Sequence, residues 1–418
     1  MARIYKILVS AYACGPNHGS EPGMGWNFVL GLSRFHEVHV IVEKRKWKSV
    51  ITDYVKTHPE TKENLKFYFI DKPRHKWLRK IWPPSYYWFY KNWQKQAYRL
   101  ALSLDKKENF DAIHQLNMVG YREPGYLWKI DKPFIWGPIG GLENSPWHFL
   151  PSLGLKGCLF YTGRNLINLW QRNYFKRPQV AANRSNSALI AATPYTKLLI
   201  KRLWNVDSVV INEVGQYDSR TEKVLPVRQE SEPLAVVWSG LHTPRKNLPL
   251  LLRALRKLEV PYHLHILGTG EMTSKWKALA DELDILKHST WYGWLPQNEA
   301  IAVMGKGHVF VITSISDLTS TVTLEALSHG LPIICLDHCG FADVVNVQCG
   351  IKIAPSTPGK ASQKMAYALE TLYHKEFLRK RLGKGALYRS QDYNWSNKIA
   401  TINNMYNRLV QNKHGEQT

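Results

Sequence analysis

The 418-residue sequence predicts an α/β fold made of two doubly wound halves. Strand-like and helix-like runs alternate along the chain, the arrangement that builds parallel sheets covered by helices. The alternation lapses once, in the polar stretch GQYDSRTEKVLPVRQESEP, and then restarts. The length suffices for two domains, and 44% hydrophobic residues supplies a core for each.

In order, KILVSAYA reads as a first strand, GPNHGSEPGMG (15–25) as a glycine-rich loop, WNFVLGLSRF as a helix and EVHVIVE as the next strand. FDAIHQLN, KPFIWGPIGG and SALIAAT read as further strands. They place an N-terminal domain over 1–215, a connection over 216–233 and a C-terminal domain over 234–395. A last helix, about 396–418, is expected to pack back on the first domain. In the second half LAVVWSG is a strand, LHTPRKN a loop, LPLLLRALRKL a helix and YHLHILGTG a strand. A helix near 273–284 precedes the strand TWYGWL, the helix NEAIAVM and the strand HVFVITS, and LPIICLD is the strand after one more helix. Doubly wound sheets bind ligands beyond the carboxyl ends of their strands. Function is therefore expected in those loops and in a cleft between the halves.

The five cysteines, Cys14, Cys158, Cys335, Cys339 and Cys349, are odd in number and scattered, the pattern of reduced thiols in a cytosolic chain. Cys335 and Cys339 flank His338, but Cys335 falls in a strand and no second ligand pair follows at zinc-like spacing. No apolar run reaches the roughly 20 residues of a membrane span. The first apolar stretch runs straight into a glycine-rich loop, as a first strand does, rather than into a signal-peptide cleavage site. The formal charge of +23 points to an anionic partner: nucleic acid, membrane or acidic substrate.

The stretch SISDLTSTVTLEALSHGLPII (314–334) carries the chemistry. A strand ends at Ser314, and a helix starting near Ser320 directs the N–H groups of Ser320, Thr321 and Val322 outward, where they and the helix dipole favour a phosphate. Glu325, about one turn further in, suits a ribose diol, since a carboxylate accepts two hydroxyl hydrogens. Asp317 precedes the helix and could meet a second polyol such as a sugar ring. The loop SGLHTPRKN adds Arg245 and Lys246, a fork and a point charge for phosphate oxygens. Together these features form a diphosphate cradle beside a ribose acceptor. Read singly, Asp317 is a loop cap, Glu325 a solvated helix residue and the basic pair a surface feature.

The second half resembles the donor domain of the retaining glycosyltransferases of family 4, which have the GT-B architecture of two facing Rossmann-like domains with an interdomain cleft. That family carries a spaced acidic pair followed by Ala and a G-x-P turn; here it is Asp317 and Glu325, then Ala326, Gly330 and Pro332. R-K-N at 245–247 is similar to the family's diphosphate loop, and HGSEPGMGWNF and DAIHQLN are similar to its first glycine-rich loop and acceptor-side strand end. Three positions depart: Asp317 stands for Glu, Thr319 for an aromatic residue and Leu116 for a second His.

The resemblance implies a hexosyltransferase-type enzyme that moves a sugar from a UDP- or GDP-sugar with retention of configuration. Arg245, Lys246, Asp317 and Glu325 would be its catalytic residues. Gly19, Ser20, Gly240, Gly293, Trp294, Ser320, Thr321 and Val322 would hold the donor. Asn117, Arg122 and His114 would lie on the acceptor side, a core or loop position being equally open for His114. No divalent metal or other cofactor is implied, and no D-x-D motif occurs.

Between Lys72 and Leu104 there is no acidic residue, and RHKWLRKIWPPSYYWFYKNWQKQAYR interleaves cations with aromatic rings. Such segments lie in the headgroup region of anionic bilayers, with Trp77, Arg79, Lys80, Trp82, Trp88, Lys91 and Trp93 as the expected contacts; the other reading is a helix pair of the N-terminal domain whose aromatic residues are core. LFYTGRNLINLWQRNYFKRP has the same character. The expectation is a cytoplasmic enzyme, peripheral at the inner face of the plasma membrane, acting on a lipid-linked or polysaccharide acceptor in exopolysaccharide, capsule, O-antigen or lipopolysaccharide assembly. The alternatives are a catalytically silent glycan-binding protein of the same fold and a nucleic-acid-binding protein. The second leaves Arg245, Lys246 and Glu325 unexplained, so no nucleic acid is expected.

Overall fold

The computed structural model of the protein describes residues 3–72, 76–81, 85–217 and 225–415. It divides into two compact units. The first comprises Met1–Leu142, Trp170–Gly215 and Trp395–Thr418, the second Glu143–Leu169 and Gln216–Asn394.

The first unit begins β1 (Lys6–Ala11), α1 (Ser20–Leu32), β2 (Glu37–Glu43), α2 (Lys44–Thr57), β3 (Leu65–Ile70), α3 (Lys76–Ile81) and α4 (Ser85–Glu108). β4 (Ala112–Asn117) and β5 (Phe134–Ile139) follow. α5 (Gly154–Tyr174) starts in the second unit and ends in the first, which then takes α6 (Lys176–Ala182), β6 (Ser187–Ala191), α7 (Pro194–Trp204) and β7 (Ser208–Val210). All strand pairs are parallel, in the order β3-β2-β1-β4-β5-β6-β7. The central strands are buried on both faces, so they read as near-continuous apolar runs.

The second unit continues with β8 (Leu234–Ser239), α8 (Leu248–Leu255), β9 (Tyr262–Leu267), α9 (Thr273–Glu282) and β10 (Ser289–Gly293). Next come α10 (Gln297–Met304), β11 (Val309–Ile312), α11 (Thr321–Ser328), β12 (Ile333–Leu336), α12 (Phe341–Val344) and β13 (Gly350–Ile353). α13 (Pro358–His374) and α14 (Glu376–Gln391) close it. Its parallel sheet has the order β10-β9-β8-β11-β12-β13.

Each sheet reverses its winding direction once, between β1 and β4 and between β8 and β11. At such a switch point neighbouring loops leave in opposite directions and open a crevice at the strands' carboxyl ends. The loops after β8 and β11 are those that hold Arg245, Lys246 and Asp317.

Two readings of the sequence shift. The segment 143–169 was placed in the N-terminal half, but Phe149, Leu150, Leu153 and Tyr161 fill the same apolar core as Trp238, Leu251 and Trp276 and so belong to the second unit. The glycine-rich loop is shorter than expected, because α1 already starts at Ser20. A Cβ on Gly23 would lie 1.9 Å from the His18 carbonyl oxygen and one on Gly25 2.3 Å from that of Ala13. These glycines let the helix press against its own incoming loop.

The last helix, α15 (Trp395–Gly415), packs on the first unit. Trp395 meets Phe28 edge-on at 5.1 Å, and Ile399 occupies the space beside Gly31. Lys398 donates to the carbonyls of Asn212 (3.0 Å) and Val214, and burial lowers its ammonium to about 7. Among the described residues, no helix is long and apolar enough to cross a membrane.

Candidate active site

β8 ends at Ser239, and its loop closes in a short 3-10 turn, Pro244–Lys246, before α8. β11 ends at Ile312, and its loop reaches α11 at Thr321. The two loops are stitched together by backbone. Ile315 N–H donates to the Arg245 carbonyl at 2.9 Å, and Thr313 Oγ1 donates to that of Lys246 at 2.6 Å. Trp238 Nε1 holds Thr313 Oγ1 at 2.9 Å.

On this frame Asp317 sits between the two cations. Lys246 Nζ is 2.5 Å from Asp317 Oδ2, and Arg245 is 3.3 Å from Oδ1 while also donating to the Ser316 carbonyl at 2.8 Å. The sequence reading gave Asp317 to a sugar hydroxyl; without ligand its carboxylate pairs with the basic residues. The three groups carry a net charge of +1, and Lys246 is almost buried, so the charge is held in one place.

α11 starts beside this triad. Its N-cap, Ser320, has φ +67° and no side chain caps the first turn, which leaves the N–H groups of Thr321 and Val322 for another acceptor. A serine in the left-handed region is strained, and such strain gathers at functional sites. Ser20, the first residue of α1, repeats the feature with φ +57° beyond the carboxyl end of β1. Nothing in the sequence signals either, because serine has no preference for that conformation.

Glu325 lies about one turn along α11, half-buried, with Gln297 Nε2 donating to its Oε1 at 3.1 Å. Burial pushes its carboxyl above the usual range, the Gln297 hydrogen bond opposing. It is thus not the solvated helix residue of the bland reading. Gly240 follows the last residue of β8, and its carbonyl oxygen would stand 2.1 Å from a Cβ on Gly268, whose φ is +111°. Gly268 N–H in turn donates to Gly293 O at 2.8 Å. Gly240, Gly268 and Gly293 thereby keep side chains off the ends of three adjacent strands, and the sequence reading missed Gly268. A Cβ on Gly293 would meet nothing within 4 Å, and Trp294 beside it is 72% exposed. A cavity of about 490 Å³ touches the basic loop at Pro244 and Asn247 and runs to Lys275 and Glu282 on α9 and beyond it; it includes neither cation of the triad.

At the switch point of the first unit, Gly19 is the N-cap of α1, and a Cβ there would meet nothing within 4 Å. Asn117, expected on the acceptor side, is buried and fastens β4 to β1: Nδ2 donates to Ala13 O at 2.6 Å and Oδ1 accepts from Ala13 N at 3.3 Å. Glu21, which sequence reasoning passed over, accepts from Val119 N–H at 2.8 Å, and burial raises its carboxyl. Arg122 donates to Gln171 Oε1 and lies over the Tyr121 ring.

His114 is corrected to a core histidine. It is fully buried in β4, with Nε2 2.8 Å from Gly137 O and Nδ1 2.8 Å from the Tyr406 hydroxyl. A carbonyl only accepts, so Nε2 carries the hydrogen and Nδ1 accepts from Tyr406. Burial lowers the imidazole to about 4.

Among the expected membrane contacts, Trp77 and Trp88 are exposed on α3 and α4, and Lys91 is half-buried. Trp93 is corrected to a core residue: it is fully buried, with Nε1 donating to Ile70 O at 3.2 Å. Trp82 and the side chains of Arg79 and Lys80 lie outside the described residues. Cys335 is buried in β12, as its strand position predicted. Among the described residues, ligand-like spacing occurs at Glu37, His39 and Glu108. There Lys66 reaches Glu37 at 2.6 Å and Lys6 reaches Glu108 at 3.2 Å, so the group is an ion-pair network.

Residues 221–387 match the family model described as glycosyl transferases group 1. Over 206 residues, 49% of the chain, the sequence is 28% identical to sulfoquinovosyl transferase of Arabidopsis thaliana. That match spans 39% of the plant protein's own length. The lipopolysaccharide outer core galactosyltransferase WaaB superposes with TM-score 0.64 at 16% identity, covering 96% of this chain and 98% of that one. Anabaena HepE in complex with UDP-glucose superposes with TM-score 0.61 at 14% identity, covering 98% and 100%. These structural likenesses establish the two-domain GT-B fold. The region that matches the glycosyl transferases group 1 model holds the Arg245–Lys246–Asp317 triad and α11.

Proposed function

We propose that the chain transfers a sugar, with retention of configuration, from a UDP- or GDP-sugar to a lipid-linked or saccharide acceptor of glycan assembly at an anionic membrane surface. The observation that carries this reading is the cationic triad, with Lys246 buried, beside the uncapped start of α11, with Glu325 one turn further in. The solved HepE complex with UDP-glucose and the lipopolysaccharide role in WaaB's name support the donor and acceptor classes.

In this reading Arg245, Lys246 and the N–H groups of Thr321 and Val322 hold the diphosphate, and Glu325 takes the ribose diol. Charge grows on the diphosphate as the bond from the sugar's anomeric carbon to phosphate oxygen breaks. Fixed positive groups in a dry site stabilise that charge without reorganising, a large source of rate. The acceptor oxygen then bonds the anomeric carbon on the same face, and its proton passes to the leaving phosphate. Asp317 releases the cations to the incoming diphosphate and turns to a sugar hydroxyl. The chain's own cations supply the positive charge, so the reading requires no divalent ion.

The test is a thermal-shift panel of nucleoside mono- and diphosphates with and without chelator, followed by release of nucleoside diphosphate from UDP- and GDP-sugars. Stabilisation by a diphosphate that survives chelation is expected, because a ligand that binds only the folded state raises its stability. Indifference to every diphosphate would overturn the reading.

A further inference from the structure

α5 has two faces. Gly157, Tyr161, Asn165 and Asn168 are buried, and this inner face touches both donor loops. The Tyr161 hydroxyl is hydrogen-bonded to the Arg245 backbone, and Arg164 donates to Ser316 Oγ at 3.0 Å. The outer face is apolar and uncovered: Leu155, Leu159, Phe160, Leu166 and Ile167 are each 56–78% exposed. At 3.6 residues per turn they fall within an arc of about 140°. Scattered exposed apolar residues are ordinary, whereas a stripe of five on one helix marks a binding surface.

We propose that the outer face of α5 is the surface by which the protein lies on an anionic bilayer, so that membrane contact is made by the helix that braces the donor loops. This deepens the membrane part of the proposed function and rests on it. Charge selects the occupant. From residue 144 to 206 the chain has no Asp or Glu and nine Lys and Arg, among them Lys156 and Arg164 on α5 itself. A second copy seated on this face would bring together two helices that carry Lys and Arg and no acidic residue, which opposes pairing, whereas anionic headgroups are drawn to them. On α5 Lys156 falls within the apolar arc and Arg164 beside it, and an amphipathic helix of this kind lies in the interface plane and does not span.

The experiment is co-sedimentation with vesicles of equal parts phosphatidylglycerol and phosphatidylcholine, against phosphatidylcholine alone. The full chain should partition to the mixed vesicles, less so in high salt. Leu159→Glu/Ile167→Glu should lose at least tenfold in partition coefficient, and the uncharged Leu159→Ser/Ile167→Ser several-fold, both at unchanged melting temperature. Trp77→Ala/Trp88→Ala, on α3 and α4, should lose less. Full partitioning by the two α5 variants with loss in the tryptophan variant would overturn the assignment of this face while leaving membrane binding intact. Failure of the wild type to pellet would overturn membrane binding itself, with diphosphate binding still read separately. A dimer dissolved by the α5 variants, without vesicle binding, would give the face to a second copy and overturn the proposal.

Discussion

Replacing Lys246 by alanine isolates the charge of the cradle. Two unit charges about 4 Å apart attract by about 4 kcal/mol at the effective dielectric of a protein edge. Lys246 is already held 2.5 Å from Asp317, so part of that attraction is spent inside the protein. Roughly 2–3 kcal/mol then remains for a bound diphosphate, or about a hundredfold in affinity. Folding should change little, since Arg245 keeps Asp317 paired at 3.3 Å and the Thr313 bond to residue 246 uses backbone. Asp317→Asn moves the net charge the other way, from +1 to about +2, and should tighten diphosphate binding several-fold while slowing sugar transfer. Isothermal titration with UDP and GDP reads affinity, and diphosphate release from the sugar donor reads turnover. If Lys246→Ala binds both diphosphates within twofold of wild type, the triad is a structural ion pair and the cradle lies elsewhere.

Three further outcomes follow from named contacts. Glu325→Gln should weaken UDP about tenfold and 2′,3′-dideoxy-UDP hardly at all, because a charged acceptor of the diol becomes a neutral one; equal losses in titration would make Glu325 a support of α11. Since burial raises its carboxyl, UDP affinity should also fall as pH drops through that raised value, and a flat profile would contradict ionisation. Gly268→Ala would place a Cβ 2.1 Å from Gly240 O at φ +111°, so a loss of a few kcal/mol of stability is expected from urea unfolding, with weaker UDP binding as the basic loop is displaced. For His114, whose folded value near 4 lies below the free 6.5, the neutral form is favoured by folding. Its contribution is present above pH 6.5 and is lost as pH falls toward 4, up to about 3 kcal/mol. His114→Asn should flatten that acid limb without changing UDP affinity; a change in affinity would return His114 to the site.

The sequence by itself determined the alternation of strands and helices, the two halves and the loops that follow β8 and β11. Those properties rest on local periodicity and on turn residues next to each strand, which a single chain displays. That Arg245, Lys246 and Asp317 lie close together was legible because the loops that carry them sit at strand ends within one half. The pairing of Asp317 with both cations was not legible, because Lys246 is 71 residues away in sequence and Arg245 one further. Burial is likewise a tertiary property. His114 and Trp93 carry polar atoms that suit function, yet packing closes both inside the first unit and supplies partners for them. The fate of residues 143–169 was decided the same way. Their apolar side chains could have filled either core, and the shape of the second unit's core took Phe149, Leu153 and Tyr161. The outer stripe of α5 is more apolar than its buried face of Gly157, Tyr161, Asn165 and Asn168, the reverse of what hydropathy predicts, so only the tertiary structure shows which face meets the core.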